Sequence, residues 1–381
     1  MRTVYLDHNA TTPVDPAVRD AMMPYLEEGF GNPSSLHSFG QTARVALDEA
    51  RDSVAALVGA DPLSVVFVSS GTEANNLAIR GTAAVHRDRA RHLVVSAVEH
   101  NSVMETCRAL ETDGFATTIV PVDETGRVDP EAVAEAISDE TLLVALMHGN
   151  NEVGTIQPVE KVAELARERG VPVLIDAVQT VGKIPLDVLA MGCDMVSLSS
   201  HKLYGPKGAG ALYVRKGLEL KAHITGGAHE LKRRAGTENV PCIVGFGAAC
   251  RLAAERREVD EKRMLRLRDR LWKGVAERIT GVFLNGDPVS RLPNTLNVSF
   301  EAVEGESVVI NLDLKGIAVS TGSACSSGMV TLSPVLLAMG LDEARARGSV
   351  RFSLGRGTTE DDIDHVLDVL PPVIERLRNL G

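Results

Sequence analysis

The sequence predicts an α/β protein with a mostly parallel sheet sandwiched by helices, followed by a smaller α+β domain. Short apolar runs alternate with helical patterns from about residue 40 to 225, which is typical of repeated strand–helix–strand units. The strands are apolar along their whole length, as in parallel sheets with both faces covered. From about residue 240 to 279 the pattern becomes almost purely helical, and mixed elements follow.

The individual elements follow from the hydrophobic periodicity. We predict strands at residues 64–68, 92–96, 117–122, 142–147, 171–176 and 195–199. We predict helices at residues 42–57, 72–84, 101–110, 130–136 and 159–168. The smaller domain is predicted to have elements at residues 295–300, 307–314, 319–323, 333–339 and 350–354, and a last helix at 360–380.

The helical stretch divides the chain into two domains. We place the large domain at residues 13–258, and the small domain at 1–12 together with 259–381. The pattern alone allows a first strand at residues 3–6 to join either domain.

Composition and charge narrow the function classes. The 381 residues carry a net charge of −11, which argues against direct nucleic-acid binding because phosphate contacts need a basic face. No apolar segment follows Arg2 or reaches membrane-spanning length, so we expect neither a signal peptide nor a membrane span. Five irregularly spaced cysteines fit neither a disulfide framework nor a zinc site. We therefore predict a protein of the reducing cytoplasm without a metal centre.

Lys202 is the first candidate catalytic residue. It follows the predicted strand at 195–199 and precedes a Gly/Pro-rich turn, a position where α/β proteins place reactive groups. Lysine amines form Schiff bases with pyridoxal phosphate (PLP) and with carbonyl substrates. The alternative is a solvated lysine in a turn.

Polar residues follow the other strands at the same predicted edge of the sheet. Gly71 and Thr72 open a helix whose N-terminus would bind a phosphate, although an ordinary helix cap has the same pattern. His100 would stack on a flat ring, or lie exposed in its loop. Asp176 ends a buried strand, where a carboxylate needs a partner such as a pyridinium nitrogen; helix capping is the alternative.

These groups together predict a PLP site. A phosphate site, a ring-stacking residue, an acid for the ring nitrogen and a Schiff-base lysine fall at successive strand ends of one sheet. Side-chain amides at Asn151 and Gln179 follow two of the same strands. Each alternative is reasonable for one residue, but the combination favours PLP.

Two residues of the small domain are candidates for substrate chemistry. Arg351 lies within a strand-like run and would bind a substrate carboxylate, or form a structural ion pair. Cys325 lies among small polar residues in a predicted loop, so its thiol would approach the cofactor and take up a substrate sulfur. An incidental surface cysteine is the alternative. Cys107, Cys193, Cys242 and Cys250 have apolar neighbours and are predicted to be buried.

At these residues the chain resembles a cysteine desulfurase of the NifS/IscS class, a fold-type I PLP enzyme of the class V aminotransferase family. The resemblance covers nearly the whole chain and implies a seven-stranded sheet. It is carried by residues 6–13, 31–37, 71–73, 99–100, 150–154, 176–179, 200–208, 234–237, 322–325 and 351–356.

The resemblance also implies roles for individual residues. Lys202 would bond PLP and then move protons, with His100 stacking on the ring and assisting. Cys325 would accept sulfur from L-cysteine as a persulfide, with L-alanine as the other product. The phosphate would be held by Gly71, Thr72, Ser199 and His201, and the ring would be contacted by Asp176 and Gln179. Asn151 would contact the cofactor and, together with Arg351, bind the substrate carboxylate. The resemblance also implies a homodimer, in which Thr237 would reach the phosphate of the neighbouring subunit.

The sulfur acceptor stays open at this point. Residues 322–328 resemble the desulfurases with a long cysteine loop, whereas members that dock an iron–sulfur scaffold often have a longer C-terminal tail. An iron–sulfur scaffold and a dedicated thiolation or DNA-sulfur-modification protein are both candidate acceptors. The alternative activities are a selenocysteine lyase, another aminotransferase-like enzyme, or a sulfur carrier that has lost its cofactor.

Overall fold

The computed structural model describes residues 2–322 and 332–380. The strands are β1 (Val4–Tyr5), β2 (Val65–Val68), β3 (His92–Ser96), β4 (Ala116–Val120), β5 (Thr141–Met147), β6 (Val173–Asp176), β7 (Met195–Ser199), β8 (Gly210–Val214), β9 (Val282–Asn285), β10 (Thr295–Phe300), β11 (Ile317–Ala318) and β12 (Ser349–Ser353). The helices are α1 (Pro16–Glu27), α2 (Ser38–Val58), α3 (Gly71–His86), α4 (Asn101–Glu111), α5 (Pro130–Ala136), α6 (Val159–Glu168), α7 (Val188–Met191), α8 (Val240–Arg278), α9 (Gly305–Asp313), α10 (Pro334–Ala338), α11 (Glu343–Arg347) and α12 (Glu360–Arg378).

The central sheet has seven strands in the order β2-β8-β7-β6-β5-β3-β4. Every neighbouring pair is parallel except the two pairs of β8, which is antiparallel to β2 and β7. The predicted, mostly parallel sheet is confirmed, but the sequence analysis missed β8. A loop of residues 200–209 joins β7 to β8 in place of a helical crossover, and such a connection returns the chain antiparallel.

Both faces of the central sheet are buried. Val65 and Phe67 of β2 belong to one hydrophobic core, whereas Val66 and Val68 belong to another on the opposite face. Successive side chains of a strand point to opposite faces, so a strand between two cores must be apolar at every position. This arrangement explains the continuous apolar runs in the sequence.

A separate core lies in the smaller, C-terminal part of the fold. It forms around the antiparallel sheet β12-β10-β9 and includes Phe300 and Phe352. β1 pairs with β11 and contributes Val4 to this core, so the N-terminal strand joins the smaller part. The predicted α+β character of this part is confirmed, while the domain boundaries at residues 13 and 259 stay predictions.

The long helix α8 connects the two parts. Phe246 near its start is buried in the core of the central sheet, and Leu271 near its end is buried in the core of the smaller part. Despite its length, neither α8 nor any other helix within residues 2–322 and 332–380 is apolar enough over a sufficient length to cross a membrane.

Some elements differ from their predicted bounds. The predicted element at 319–323 does not overlap β11, which ends at Ala318. Ser320 forms an isolated bridge with Arg351, and residue 323 lies outside the described residues. The periodicity also missed β9 and the helices α1, α7 and α11. The helix α1 has a local signal, since Asp15 caps it and proline occupies its first turn.

The parallel strands set the position of the candidate site. β2, β3, β5, β6 and β7 run in one direction, so their carboxyl ends meet at the same edge of the central sheet. Ligands of doubly wound sheets bind at this edge.

Candidate active site

A cavity of about 230 Å³ opens at the carboxyl edge of the central sheet. The predicted residues that line it are Gly71, Thr72, His100, Asn151, Asp176, Gln179, Ser199, His201 and Lys202. The other lining residues are Ser70, Asn75, Ser102, Met147, Gly149 and Val178. The structure therefore brings together residues that are up to 132 positions apart in the sequence, from 70 to 202.

Lys202 lies in the 3₁₀ turn Ser200–Lys202 directly after β7. Its Nζ donates hydrogen bonds to the backbone carbonyl oxygens of Asn9 and Ala10, the latter at 2.8 Å. Burial, and next the positive charge of Arg351, lower the pKa of Lys202 to about 8. A substantial fraction of the amine is consequently neutral and nucleophilic near pH 8.

One end of the cavity is suited to an anion. Gly71 and Thr72 form the first turn of α3, where the backbone N–H groups have no partner within the helix. Ser199 and His201 line the same cavity. Burial, followed by the charge of Lys202, lowers the pKa of His201 to about 4, so its ring is neutral at pH 7. A neutral imidazole still offers one N–H donor to a phosphate.

Asp176 is the buried carboxylate of the site, 7% exposed at the end of β6. One oxygen accepts a hydrogen bond from Nδ2 of Asn75 at 2.8 Å. The other accepts one from the backbone N–H of Val178 at 3.0 Å. Asp176 therefore forms the local hydrogen bond to the backbone that the capping alternative predicts. It also lines the cavity.

His100 is the N-cap of α4, and the first turn of this helix holds the His100 side chain. The backbone N–H of Ser102 donates to His100 Nδ1 at 3.1 Å, which leaves the ring proton on Nε2. Burial lowers the pKa of His100; nearby Asp176 opposes this effect and Lys202 adds to it. The Ser102 hydroxyl lies 2.9 Å from the same Nδ1 and accepts from Asn75 at 2.8 Å.

Asn151 and Gln179 meet the N-terminal segment at one side of the cavity. The Gln179 Nε2 donates to the Asn9 carbonyl at 2.9 Å, and Asn9 Nδ2 donates to the Asn151 carbonyl at 3.1 Å. Asn9 is 1% exposed and also contacts Thr295 of the smaller part at 2.8 Å. This contact ties both parts of the fold to the cavity wall.

Arg351 does not line the cavity but lies behind Asn151. It is buried on β12, where it forms an ion pair with Asp7 at 2.6 Å and donates to the Asn151 carbonyl at 3.0 Å. The structural ion pair that the sequence left open is therefore present. The Arg351 Nε is also buried and has no hydrogen-bond partner within the described part of the chain.

Thr237 is separated from the Lys202 cavity. It lines a second cavity of about 130 Å³ with Ser69, Gly208 and Arg234. Within a single chain, Thr237 is therefore not part of the wall that Thr72 and Ser199 form.

Cys325 lies outside the described residues, so its predicted role stays a prediction. Three of the other cysteines are buried as predicted, but Cys242 is only half-buried, because it lies in the first turn of α8. Burial raises the pKa of Cys107 and Cys193 to about 12 and raises those of Cys242 and Cys250. These four thiols are poor nucleophiles at neutral pH.

The sequence analysis missed several polar residues of the site. Asn75 follows Thr72 by three positions, so it lies on the same face of α3; this spacing was the available signal. Ser102 occupies the N2 position after His100, where a hydroxyl is common at a helix start. Asn9 gave no local signal, because its partners come from distant segments. Lys183 gave none either, because its partner Gln179 lies in the same buried turn.

The groups around the cavity fit PLP. Lys202 supplies an amine for the aldehyde, the first turn of α3 supplies donors for the phosphate, and buried Asp176 supplies an acceptor for a protonated ring nitrogen. The imidazole of His100 lines the same cavity and is flat enough to stack on a ring.

Known proteins are similar to this chain over nearly its full length. The family model described as Aminotransferase class-V matches residues 4–366. A protein from Dictyoglomus turgidum named cysteine desulfurase IscS is 48% identical over 380 residues, covering 100% of this chain and 96% of that protein.

Two solved structures are also similar. One titled NifS-like protein has a TM-score of 0.93 and 37% identity, and the match covers 99% of this chain and 100% of that one. SspA, solved in complex with cysteine, has a TM-score of 0.82 and 38% identity, covering 92% of this chain and 99% of that one. The chain therefore belongs to the class-V aminotransferase family, in its cysteine desulfurase branch of the NifS/IscS class.

Proposed function

We propose that this enzyme uses PLP to convert L-cysteine to L-alanine and transfers the sulfur to Cys325 as a persulfide. The observation that carries the proposal is the cavity in which Lys202, Asp176 and His100 meet the N-terminus of α3. The similar proteins named cysteine desulfurase support the choice of substrate.

Each residue around the cofactor has a separate task. PLP supplies a cationic ring that accepts electrons when a bond to the substrate α-carbon breaks. Asp176 would accept a hydrogen bond from the protonated ring nitrogen, and the residues of the anion-binding end would hold the phosphate. Lys202 would hold the cofactor through its amine, and with a pKa of about 8 this amine could also move a proton at the substrate α-carbon. His100, whose pKa is lowered by burial, offers a second site for proton transfer.

The sulfur transfer balances without an added oxidant. The Cys325 thiolate attacks the substrate sulfur, and the bond between that sulfur and the β-carbon breaks. The sulfur stays on Cys325 as a persulfide, while the electron pair of the broken bond remains on the alanine fragment and takes up a proton. A thiol reductant then releases the sulfur as sulfide.

The substrate carboxylate is assigned to Asn151 and Arg351. Arg351 is charged, buried and in contact with Asn151 at the cavity wall, so it can place positive charge close to the substrate. Its ion pair with Asp7 holds the guanidinium in position.

We further propose that the enzyme is a homodimer in which Thr237 completes the phosphate site of the partner subunit. Thr237 lies on a separate cavity from Lys202 within one chain. Phe30 and Leu36 are 73% and 92% exposed, and such apolar side chains favour a covered surface. Sedimentation at equilibrium tests the dimer, and mixed dimers of Thr237→Ala with Lys202→Ala test the shared site.

The acceptor of the sulfur is either an iron–sulfur scaffold or a thiolation or DNA-sulfur-modification protein. The IscS names of similar proteins support the first choice. A cytoplasmic location remains a prediction from the cysteine pattern.

The experiment that tests the proposal assays alanine and sulfide from L-cysteine with PLP-loaded protein and a thiol reductant. We expect both products in equal amounts, and loss of turnover with the visible PLP band retained in Cys325→Ala. Cys242→Ser, which changes a half-buried cysteine, serves as the control and should keep its activity. Unimpaired turnover in Cys325→Ala would contradict the role of that thiol.

The alternatives predict other outcomes of the same assay. Faster alanine formation from L-selenocysteine than from L-cysteine favours a selenocysteine lyase. Amino-group transfer to a keto acid that outpaces sulfide release favours an aminotransferase. A colourless protein that does not take up PLP favours a sulfur carrier.

A further inference from the structure

Lys183 is a buried amine directly behind the cavity wall. It follows Gln179 by four positions in the turn after β6 and is 7% exposed. Its Nζ donates to Oε1 of Gln179 at 3.0 Å, which is the one hydrogen bond of this amine within residues 2–322 and 332–380.

The surroundings of Lys183 are unfavourable for a cation. Burial, and then the positive charges of Lys202 and Arg351, lower its pKa to about 7. An amine buried beside other cations, with an amide oxygen in place of a carboxylate, does not stabilise the fold through an ion pair. This placement points to a role in the site.

The hydrogen bond determines which way the Gln179 amide faces. With Oε1 held by Lys183, Nε2 lies on the other side, where it donates to the Asn9 carbonyl at 2.9 Å. An amide nitrogen has two N–H groups, and the second has no protein acceptor in the described part of the chain. Gln179 lines the cavity, so this second N–H is available to a bound ligand.

We propose that Lys183 is a positioning residue that orients and polarises the Gln179 amide, so that Gln179 presents an N–H donor to the anionic ring oxygen of PLP. The inference rests on the proposed PLP function and adds a residue to that site. A donor to Oε1 strengthens the N–H groups of the same amide, because linked hydrogen bonds polarise one another.

The test is a pH titration of the visible absorption band in PLP-loaded protein. The Gln179 N–H donor makes the ring oxygen of PLP less basic. Without this donor, the ring oxygen holds the proton that it shares with the lysine nitrogen more tightly. Lys183→Met should therefore move the titration midpoint to higher pH by about one unit, the size of one hydrogen bond of about 1.4 kcal/mol. Lys183→Arg, which keeps a donor, should restore most of the wild-type midpoint.

A double-mutant cycle separates this role from a direct effect of charge. In a Gln179→Ala background, Lys183→Met should leave the midpoint unchanged, since the amide through which Lys183 acts is gone. Lys207→Met removes an exposed positive charge near His201 and should shift the midpoint much less. A full shift in the Gln179→Ala background, or no shift in Lys183→Met, would overturn the inference.

The wild-type spectrum distinguishes a failure of the role of Lys183 from a failure of the proposed PLP function. A wild-type band with an unshifted Lys183→Met midpoint contradicts the role of Lys183 alone. The absence of a visible band in the wild-type protein with added PLP contradicts the proposed function and this inference together. If Lys183→Met does not fold, Lys183→Gln and its cycle with Gln179→Ala give the same comparison.

Discussion

The side-chain amide of Asn75 donates to Asp176 at 2.8 Å and to the Ser102 hydroxyl at 2.8 Å, so it joins the buried carboxylate to the group that contacts His100. Both N–H groups of Asn75 are used in these two hydrogen bonds. The acid and the imidazole of the cavity are thereby held by one residue of α3.

The first prediction concerns this amide. Asn75→Ala should lower the free energy of unfolding of the apo-protein by about 1–3 kcal/mol, because Asp176 loses a donor while it remains buried. The affinity for PLP should fall as well, measured by titration of the apo-protein with PLP. Asn76→Ala is the matched control, since that side chain donates to Thr72 and accepts from Arg80, both in its own helix. Equal effects of the two substitutions would contradict the proposed linkage.

The second prediction concerns Glu99, which is buried in the loop between β3 and α4. Burial raises its pKa to about 8, although Ser96 and the Met147 N–H donate to one oxygen. A raised pKa means that its stabilising contribution is complete below the ordinary value and is lost as the pH rises through about 8. Glu99→Gln should therefore raise the melting temperature of the apo-protein more at pH 9 than at pH 6.

The control for this prediction is Glu111→Gln at the exposed end of α4. Its effect on the melting temperature should be small and independent of pH. If Glu99→Gln also shows a constant difference between pH 6 and pH 9, Glu99 is not a protonated carboxyl in the folded protein.

The third prediction separates the two roles of Arg351. Arg351→Lys should raise KM for L-cysteine about tenfold or more with a smaller change in kcat, because an ammonium cannot hold a carboxylate through two parallel hydrogen bonds. Steady-state sulfide release measures both constants. Arg356→Lys is the control: Arg356 is half-buried, but it pairs with Asp260 at 2.8 Å and stacks on Tyr204. An unchanged KM in Arg351→Lys, together with lower stability, would leave Arg351 as a structural partner of Asp7 alone.

The fourth prediction concerns the segment that leads to Thr237. Glu230 is buried and accepts two hydrogen bonds from Arg51 at 2.7 and 2.8 Å and one from the Phe67 N–H at 2.8 Å. Glu230 has a φ of 45° and is the first of three consecutive residues with a left-handed backbone conformation. This conformation is strained, and the contacts of Glu230 hold it in place. Glu230→Gln should lower the free energy of unfolding by about 3–5 kcal/mol, since Arg51 would lose its charged partner.

Denaturant unfolding measures this loss. Asp48→Asn removes the partner of Arg44 in an exposed pair and should cost less than about 1 kcal/mol. A Glu230→Gln value as small as that of Asp48→Asn would mean that the buried pair does not stabilise the segment.

The sequence was sufficient where a local pattern determined the outcome. Strands that are buried on both faces must be apolar throughout, and this made β3, β5 and β7 predictable to within one residue. The predicted parallel direction of the strands also placed Lys202 and Asp176 at one edge of the sheet.

The rest of the site depended on tertiary contacts. Asn9 and Asn75 are polar residues whose partners come from other segments. Lys183 donates to Gln179 within its own turn, but nothing in that stretch of sequence indicates that the amine is buried. Arg351 shows the same limit, because Asp7 is 344 positions away in the sequence. β8 escaped prediction because its direction follows from a turn rather than from periodicity.

The most direct measurement of the central claim is the identity of the lysine that bonds PLP. Lys183 and Lys202 both have lowered pKa values, about 7 and about 8, so basicity alone would favour Lys183. Only Lys202 of the two lines the cavity, and geometry therefore assigns the bond to Lys202. Reduction of the PLP-loaded protein with borohydride, digestion and mass spectrometry should place the cofactor on Lys202, with no adduct in Lys202→Ala. An adduct on Lys183 in the wild-type protein, or no adduct at all, would contradict the account.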